Sequence, residues 1–198
     1  MFTVAFDFDG VINDLPIKWT KWLSNYYDLY VEEENIKHYN MSLNFPSLSL
    51  NQILEPLTKA DFWDTVDYNS GINFNEQFSR YQTLTDMRIL IVTATSPETW
   101  GVKYEHCIKR LLPNFPVENI ILTSRKDLIK CDVLIDDHIE NLKETSAYKV
   151  LVDASYNKNI EPYLYNKRDS FYYITNELIY NLYHKHKEKS KYVTTCTN

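Results

Sequence analysis

Five short apolar runs constrain the fold of this chain more than any other feature. They cover residues 2–6, 89–92, 120–122, 133–135 and 150–152, and each is continuous rather than alternating with polar residues. Strands read this way when helices cover both faces of their sheet. The segment after the second run has a helix start. Ser96 stands at the cap position, Pro97 suits the first turn, and Glu98 complements the positive helix end. Tyr104, Cys107, Ile108, Leu111 and Leu112 share one helical face, and Pro113 stops the pattern. Asn141 and Leu142 fall in a second helix between the fourth and fifth runs. Strand alternating with helix predicts an α/β fold, a doubly wound parallel sheet.

The first crossover is far longer than one helix requires. Trp19, Trp22, Leu23, Tyr26 and Tyr27 keep helical spacing, as do Ile53, Leu54 and Leu57, and then Phe74 and Phe78 with Tyr81. Residues 15–84 therefore read as a helical cap inserted after the first strand, and residues 1–14 with 85–198 as the core. An insertion there overlies the carboxyl edge of the sheet, where such folds bind ligands, so it is a candidate lid. Near the C-terminus, residues 176–186 form an amphipathic helix that should dock on the sheet and then fray.

Composition narrows the function. A formal charge of −6 argues against a broad nucleic-acid-binding face, but not against a small phosphate ester in a locally positive pocket. No apolar run approaches the roughly 20 residues of a membrane span, and residues 1–8 lack a signal peptide's basic start. Cys107, Cys131 and Cys196 are too scattered for a disulfide framework or zinc cluster, which fits a reducing cytoplasm.

The chemistry gathers where strands end. Asp7-Phe8-Asp9-Gly10 follows the first strand, and Gly10 permits the turn that would aim both carboxylates into a site. Paired acids this close need a cation or a shared proton. Thr93 ends the second strand, Asp136-Asp137 end the fourth, and Lys126 precedes that strand. Singly, each has a bland reading as turn, cap or surface charge. Together they bring carboxylates, a hydroxyl and an ammonium to one sheet edge, which is the set that a phosphate bound with a divalent metal requires.

This ordered set, Asp7-x-Asp9, Thr93, Lys126 and Asp136-Asp137, resembles the four motifs of the haloacid dehalogenase (HAD) superfamily of phosphohydrolases. The stretches Asp7-Phe8-Asp9-Gly10-Val11-Ile12-Asn13-Asp14 and 126–137 more narrowly resemble the 5′(3′)-deoxyribonucleotidase family. Residues 152–157 resemble that family's last core strand, although Ala154-Ser155 depart from its proline-containing turn. The resemblance implies an HAD-like Rossmannoid core under the cap and an Mg²⁺-dependent phosphomonoesterase. Asp7 would be the nucleophile and Asp9 the general acid and base. Thr93 and Lys126 would bind phosphoryl oxygens, with backbone N–H groups of Gly10 and Ala94 as further donors. The metal would be held by Asp7, the Asp9 backbone carbonyl and Asp137, with Asp136 beside it or bridging through water.

The family also stacks a nucleobase on an aromatic segment near Phe62-Trp63, so that pair resembles a base platform. A core-plus-surface pair is the other reading, because adjacent helical rings should not face one core. Tyr68 and Asn69 are weaker candidates for base or sugar contacts. A cap that closes favours a small substrate over a polymer. The substrate implied is a nucleoside monophosphate such as dUMP or dTMP. The alternatives are another small phosphate ester or a polynucleotide 3′-phosphate. Related nucleotidases are commonly dimers, so a homodimer is open. A response-regulator receiver is excluded by motif order, since Lys126 precedes Asp136-Asp137 and a large insertion follows the first strand.

Overall fold

The computed structural model describes residues 1–32 and 35–195, with side chains described through residue 190. Cys196 and the end of the predicted polar tail lie outside the described residues. Six strands form one sheet: β1 (Phe2–Asp7), β2 (Met87–Thr93), β3 (Ile120–Leu122), β4 (Val133–Asp136), β5 (Tyr148–Val152) and β6 (Lys167–Asp169). Their order is β3-β2-β1-β4-β5-β6, and every pairing is parallel. The order reverses direction between β1 and β4, so the crevice at their carboxyl ends is the place for a ligand.

The predicted strands all form, and β6 is a sixth that the sequence hid. Its Lys-Arg-Asp sequence carries no apolar signal, and it pairs only at the sheet's edge. Asp7, Thr93 and Asp136 each extend their strand by one polar residue. Alternation along β1 explains why its run is apolar apart from the half-buried Thr3. Val4 and Phe6 belong to one hydrophobic cluster, whereas Ala5 joins Val92, Leu134 and Leu151 in a second.

Among the described residues, five α-helices run between β1 and β2: α1 (Leu15–Tyr26), α2 (Met41–Asn44), α3 (Leu50–Leu54), α4 (Ala60–Thr65) and α5 (Phe74–Tyr81). Local signals set their starts. Pro16 occupies the first turn of α1, Asn40 caps α2 through Ser42 N–H, Ser49 and Gln52 form a capping box on α3, and Asn73 caps α5. The segment packs in two ways. Leu23, Met41, Phe45 and Ile53 make a small core of their own. Phe74, Phe78 and Tyr81 of α5 instead join the main cluster, with the Phe74 ring edge-on to Phe6 at 4.8 Å. The last helix of the inserted stretch therefore lies against the sheet, as an ordinary crossover helix would.

After β2 comes α6 (Pro97–Lys103), then a wide π turn (Tyr104–Ile108) and α7 (Lys109–Leu111). Ser96 sits at the cap position without capping: its hydroxyl pairs with Thr99 Oγ1 at 3.1 Å. Helix α8 (Ile139–Lys143) joins β4 to β5. The C-terminal segment begins earlier and continues further than its pattern predicts. It comprises α9 (Phe171–Tyr173), a second π turn (Ile174–Leu178) and α10 (Ile179–Thr195). Phe171, Ile174, Leu178 and Ile179 pack into the main cluster. Among the described residues no helix is long and apolar enough to cross a membrane.

Candidate active site

The carboxyl ends of β1, β2 and β4 bring Asp7, Thr93 and Asp136 together, and the turns that follow add Asp9 and Asp137. Asp7 is 3% exposed, and Thr93, Asp136 and Asp137 are fully buried. Lys126, in a short 3-10 turn before β4, is equally hidden. Its Nζ lies 2.6 Å from Asp7 Oδ2 and 2.8 Å from Asp136 Oδ2. Burial opposes the ammonium, but the Asp7 and Asp136 carboxylates outweigh it and raise its pKa.

Asp7 Oδ1 accepts the Phe8 N–H at 2.6 Å, which fixes the carboxyl plane. Burial pushes Asp7 up to about 7, with Asp136 and Asp9 adding to the effect and Lys126 opposing it. Asp137 is raised as well, first by burial and then by Asp7 and Asp136. Beyond burial, three carboxylates face a single ammonium here, so ionising all three would leave a surplus of two negative charges.

Both Asp136 oxygens are engaged by neighbouring donors. Its Oδ1 accepts His138 N–H at 2.8 Å and Asn141 Nδ2 at 3.1 Å, and its Oδ2 accepts Lys126 and Asn141. Three donor groups thus hold it through four contacts, and its ion pair orients Lys126. Asp137 is the opposite case. Its Oδ2 accepts the Tyr156 hydroxyl, while its Oδ1 is buried with no hydrogen-bond partner. A buried orphan carboxylate oxygen beside Asp7, in a pocket with surplus negative charge, fits a divalent cation. Asp7, Asp136 and Asp137 offer oxygens within 4.8 Å of one another, and of these acids Asp137 keeps an oxygen without a partner.

Gly10 differs from its expected role. Its N–H donates to Asn13 Oδ1 at 3.2 Å, so it is committed to the turn rather than to a phosphate. Its contribution is the missing side chain. Its φ is +78°, and a Cβ there would stand 2.3 Å from Asp137 Oδ2. Asn13, fully buried, is the hub of this turn: its Oδ1 also accepts Leu15 N–H, and its Nδ2 donates to Asp9 Oδ1 at 3.0 Å. Asn69 props the turn from outside, donating to the Gly10 carbonyl at 2.8 Å. Tyr68 donates to the Leu111 carbonyl. Tyr68 and Asn69 are thereby occupied as structural supports rather than base or sugar contacts.

A cavity of about 680 Å³ opens from this edge toward the inserted helices. Asp9, Lys103, Ala94 and Asp137 line one part of it, and Trp19, Leu57 and Trp63 another. Only one ring of the Phe62-Trp63 pair reaches it. Phe62 is 1% exposed and Trp63 2%, and both enter the main cluster, their rings edge-on at 5.5 Å. One core can accept adjacent rings because α4 is short and enclosed on more than one side. Trp63 Nε1 donates to the Leu57 carbonyl at 2.8 Å, so the wall offers a ring rather than a donor.

Two residues of the site carried no sequence signal. Lys103, at the end of α6, is 1% exposed, and its Nζ contacts Asp9 Oδ2 and Thr93 Oγ1. A lysine on a helix reads as a surface charge. Tyr39, from the inserted segment, stacks flat on His138 at 3.7 Å and so ties that segment to the residue after Asp137. It stands in a polar stretch with no periodicity.

The comparisons agree with this geometry. A family model described as "5′ nucleotidase, deoxy (Pyrimidine), cytosolic type C protein" matches residues 1–179. A "5′(3′)-deoxyribonucleotidase" of Bacillus subtilis (strain 168) is 26% identical over 162 residues, covering 79% of this chain and 87% of that protein. Another so named, from Clostridium acetobutylicum, is 27% identical over 157 residues, covering 79% and 84%. Among solved structures, a haloacid dehalogenase-like protein of Agrobacterium tumefaciens superimposes with a TM-score of 0.60 at 15% identity. It covers 92% of this chain and 99% of that one. A hydrolase from Pseudomonas syringae gives 0.53 at 13%, covering 89% and 97%. These structural likenesses establish the fold, and the match over residues 1–179 places the chain in the type C 5′-nucleotidase family of phosphomonoesterases.

Proposed function

We propose that this enzyme removes phosphate from deoxyribonucleoside monophosphates, dUMP and dTMP foremost, through an aspartyl-phosphate on Asp7 with Mg²⁺ in the site. The observation that carries the reading is the polarised nucleophile. Asp7 is buried, held by Lys126 and the Phe8 N–H, and stands beside the unpartnered Asp137 Oδ1. The names of the relatives from B. subtilis and C. acetobutylicum support the choice of substrate.

Asp7 attacks phosphorus in line, and Lys126 offsets the charge shared by carboxylate and phosphoryl group. Asp9 protonates the departing sugar oxygen and then takes a proton from the water that hydrolyses the intermediate. Ala94 lines the cavity and would offer its N–H to the phosphoryl oxygens, and Thr93 would join it by turning its hydroxyl from Asp9 to the phosphate. Mg²⁺, held by Asp7, Asp137 and the Asp9 carbonyl, would supply Lewis-acid polarisation of the phosphoryl group and neutralise the surplus charge. Trp63 and Trp19 wall the end that receives the base, and the inserted segment acts as lid, with α4 and α5 resting on the main cluster. A cavity of about 680 Å³ beneath the inserted segment favours a mononucleotide over a polynucleotide end. The cytosolic type of the matching family fits a cytoplasmic enzyme.

The test is phosphate release from a panel of deoxy- and ribonucleoside monophosphates, with and without Mg²⁺, on the native enzyme and Asp7→Asn. We expect Mg²⁺-dependent release, strongest on dUMP or dTMP and abolished in the variant. Equal rates on all esters would remove the assignment of the aromatic wall, and an active Asp7→Asn would remove the nucleophile.

A further inference from the structure

The motif set leaves the buried Lys103 ammonium without a role. A buried ammonium is costly unless its surroundings compensate for the lost water, so its placement has a reason. The compensation is specific. Lys103 Nζ donates to Asp9 Oδ2 and, at 2.7 Å, to Thr93 Oγ1. Thr93 in turn donates to the same Asp9 oxygen at 3.2 Å. The other Asp9 oxygen accepts Asn13 Nδ2 at 3.0 Å. The rings of Phe8 and Trp63 each lie 5.5 Å from the ammonium, which adds cation–π attraction and excludes water. Lys103 is also the last residue before the Tyr104–Ile108 π turn, a register shift of the kind found at functional sites.

We infer that Lys103 is a positioning residue: it fixes the Asp9 carboxyl in the orientation that exchanges a proton with the leaving oxygen. It does not grip the phosphate. Two of its three N–H groups are committed to Asp9 and Thr93, and aromatic faces flank it. The inference rests on the aspartyl-phosphate chemistry proposed above.

That chemistry divides cleanly at the leaving group. In the first step an Asp7 oxygen bonds to phosphorus, the phosphorus–O5′ bond breaks, and O5′ takes the Asp9 proton. In the second, water oxygen bonds to phosphorus, the Asp7–phosphorus linkage breaks, and the water proton restores Asp9. A substrate whose bridging 5′ oxygen is replaced by sulfur departs as a thiolate and needs no proton in the first step. It still needs Asp9 in the second.

The experiment compares dUMP with its 5′-bridging-thio analogue on the native enzyme, Lys103→Met and Lys103→Gln, in stopped flow with Mg²⁺. Folding is checked by circular dichroism and thermal melting. In both variants we expect a thiol burst of about one equivalent per chain, at a rate within about threefold of native, followed by slow turnover. The first turnover of dUMP should slow by about 100-fold or more, the range of a lost general acid. Equal losses on both esters would mark Lys103 as a phosphate ligand or structural prop and overturn the inference, as would two variants that fail to fold or that keep native rates on dUMP. Asp7→Asn separates the underlying reading: a thiol burst surviving there would overturn the aspartyl-phosphate itself.

Discussion

Each catalytic carboxylate is defined by what fills its lone pairs. Asp136 is held by three donor groups and orients Lys126, Asp9 is braced on both oxygens, and Asp137 has one oxygen left open. Gly10 keeps that opening intact. Gly10→Ala forces a methyl group against Asp137 Oδ2 and strains a φ of +78°. The turn is anchored by Asn13 and Asn69, so the chain should still fold. We expect it to lose about 1–3 kcal/mol of stability and most of its turnover, measured by urea denaturation and phosphate release. At this scale the acids, Thr93 and Lys126 were legible because several reactive types recur at strand ends. Lys103 was not, because burial of one helical lysine depends on a partner 94 residues away.

Elements carry the site through packing more than through propensity. Strands β1, β2, β4 and β5 were legible because coverage on both faces demands unbroken apolar runs. The division of the inserted segment was not, since α5 has the same helical spacing as the helices before it. Tertiary contacts, those of Phe74 and Tyr81 with Phe6 among them, assign it to the sheet. Phe74→Ala should therefore destabilise the whole core by about 3–5 kcal/mol. A single cooperative urea transition at lower denaturant would confirm this. An unchanged midpoint, with only the inserted helices loosened, would contradict it.

Across the whole molecule, the surplus of buried negative charge links folding to pH and to metal. An Asp that ionises near pH 4 when unfolded but at about 7 when folded binds more protons in the native state between those values. Without divalent cation, stability should then fall as pH rises through that window. Mg²⁺ should reverse the trend at pH 7, by about 2.7 kcal/mol at 100 times its Kd. Thermal melts across pH, with and without Mg²⁺, check both signs, and Asp137→Asn should lose most of the metal effect. No sequence pattern reports this balance, which arises only when three separate turns converge.

The sheet's borders have a different consequence. Both open edges, β3 and β6, are three residues long. On β6, Lys167 pairs with Asp169 and Arg168 with Asp153, so the border is tiled with fixed charges. A neighbouring copy meets too few free amides to add a strand and must desolvate ion pairs to try. The lack of apolar signal that concealed β6 in the sequence is also what protects the concentrated protein against edge-to-edge aggregation.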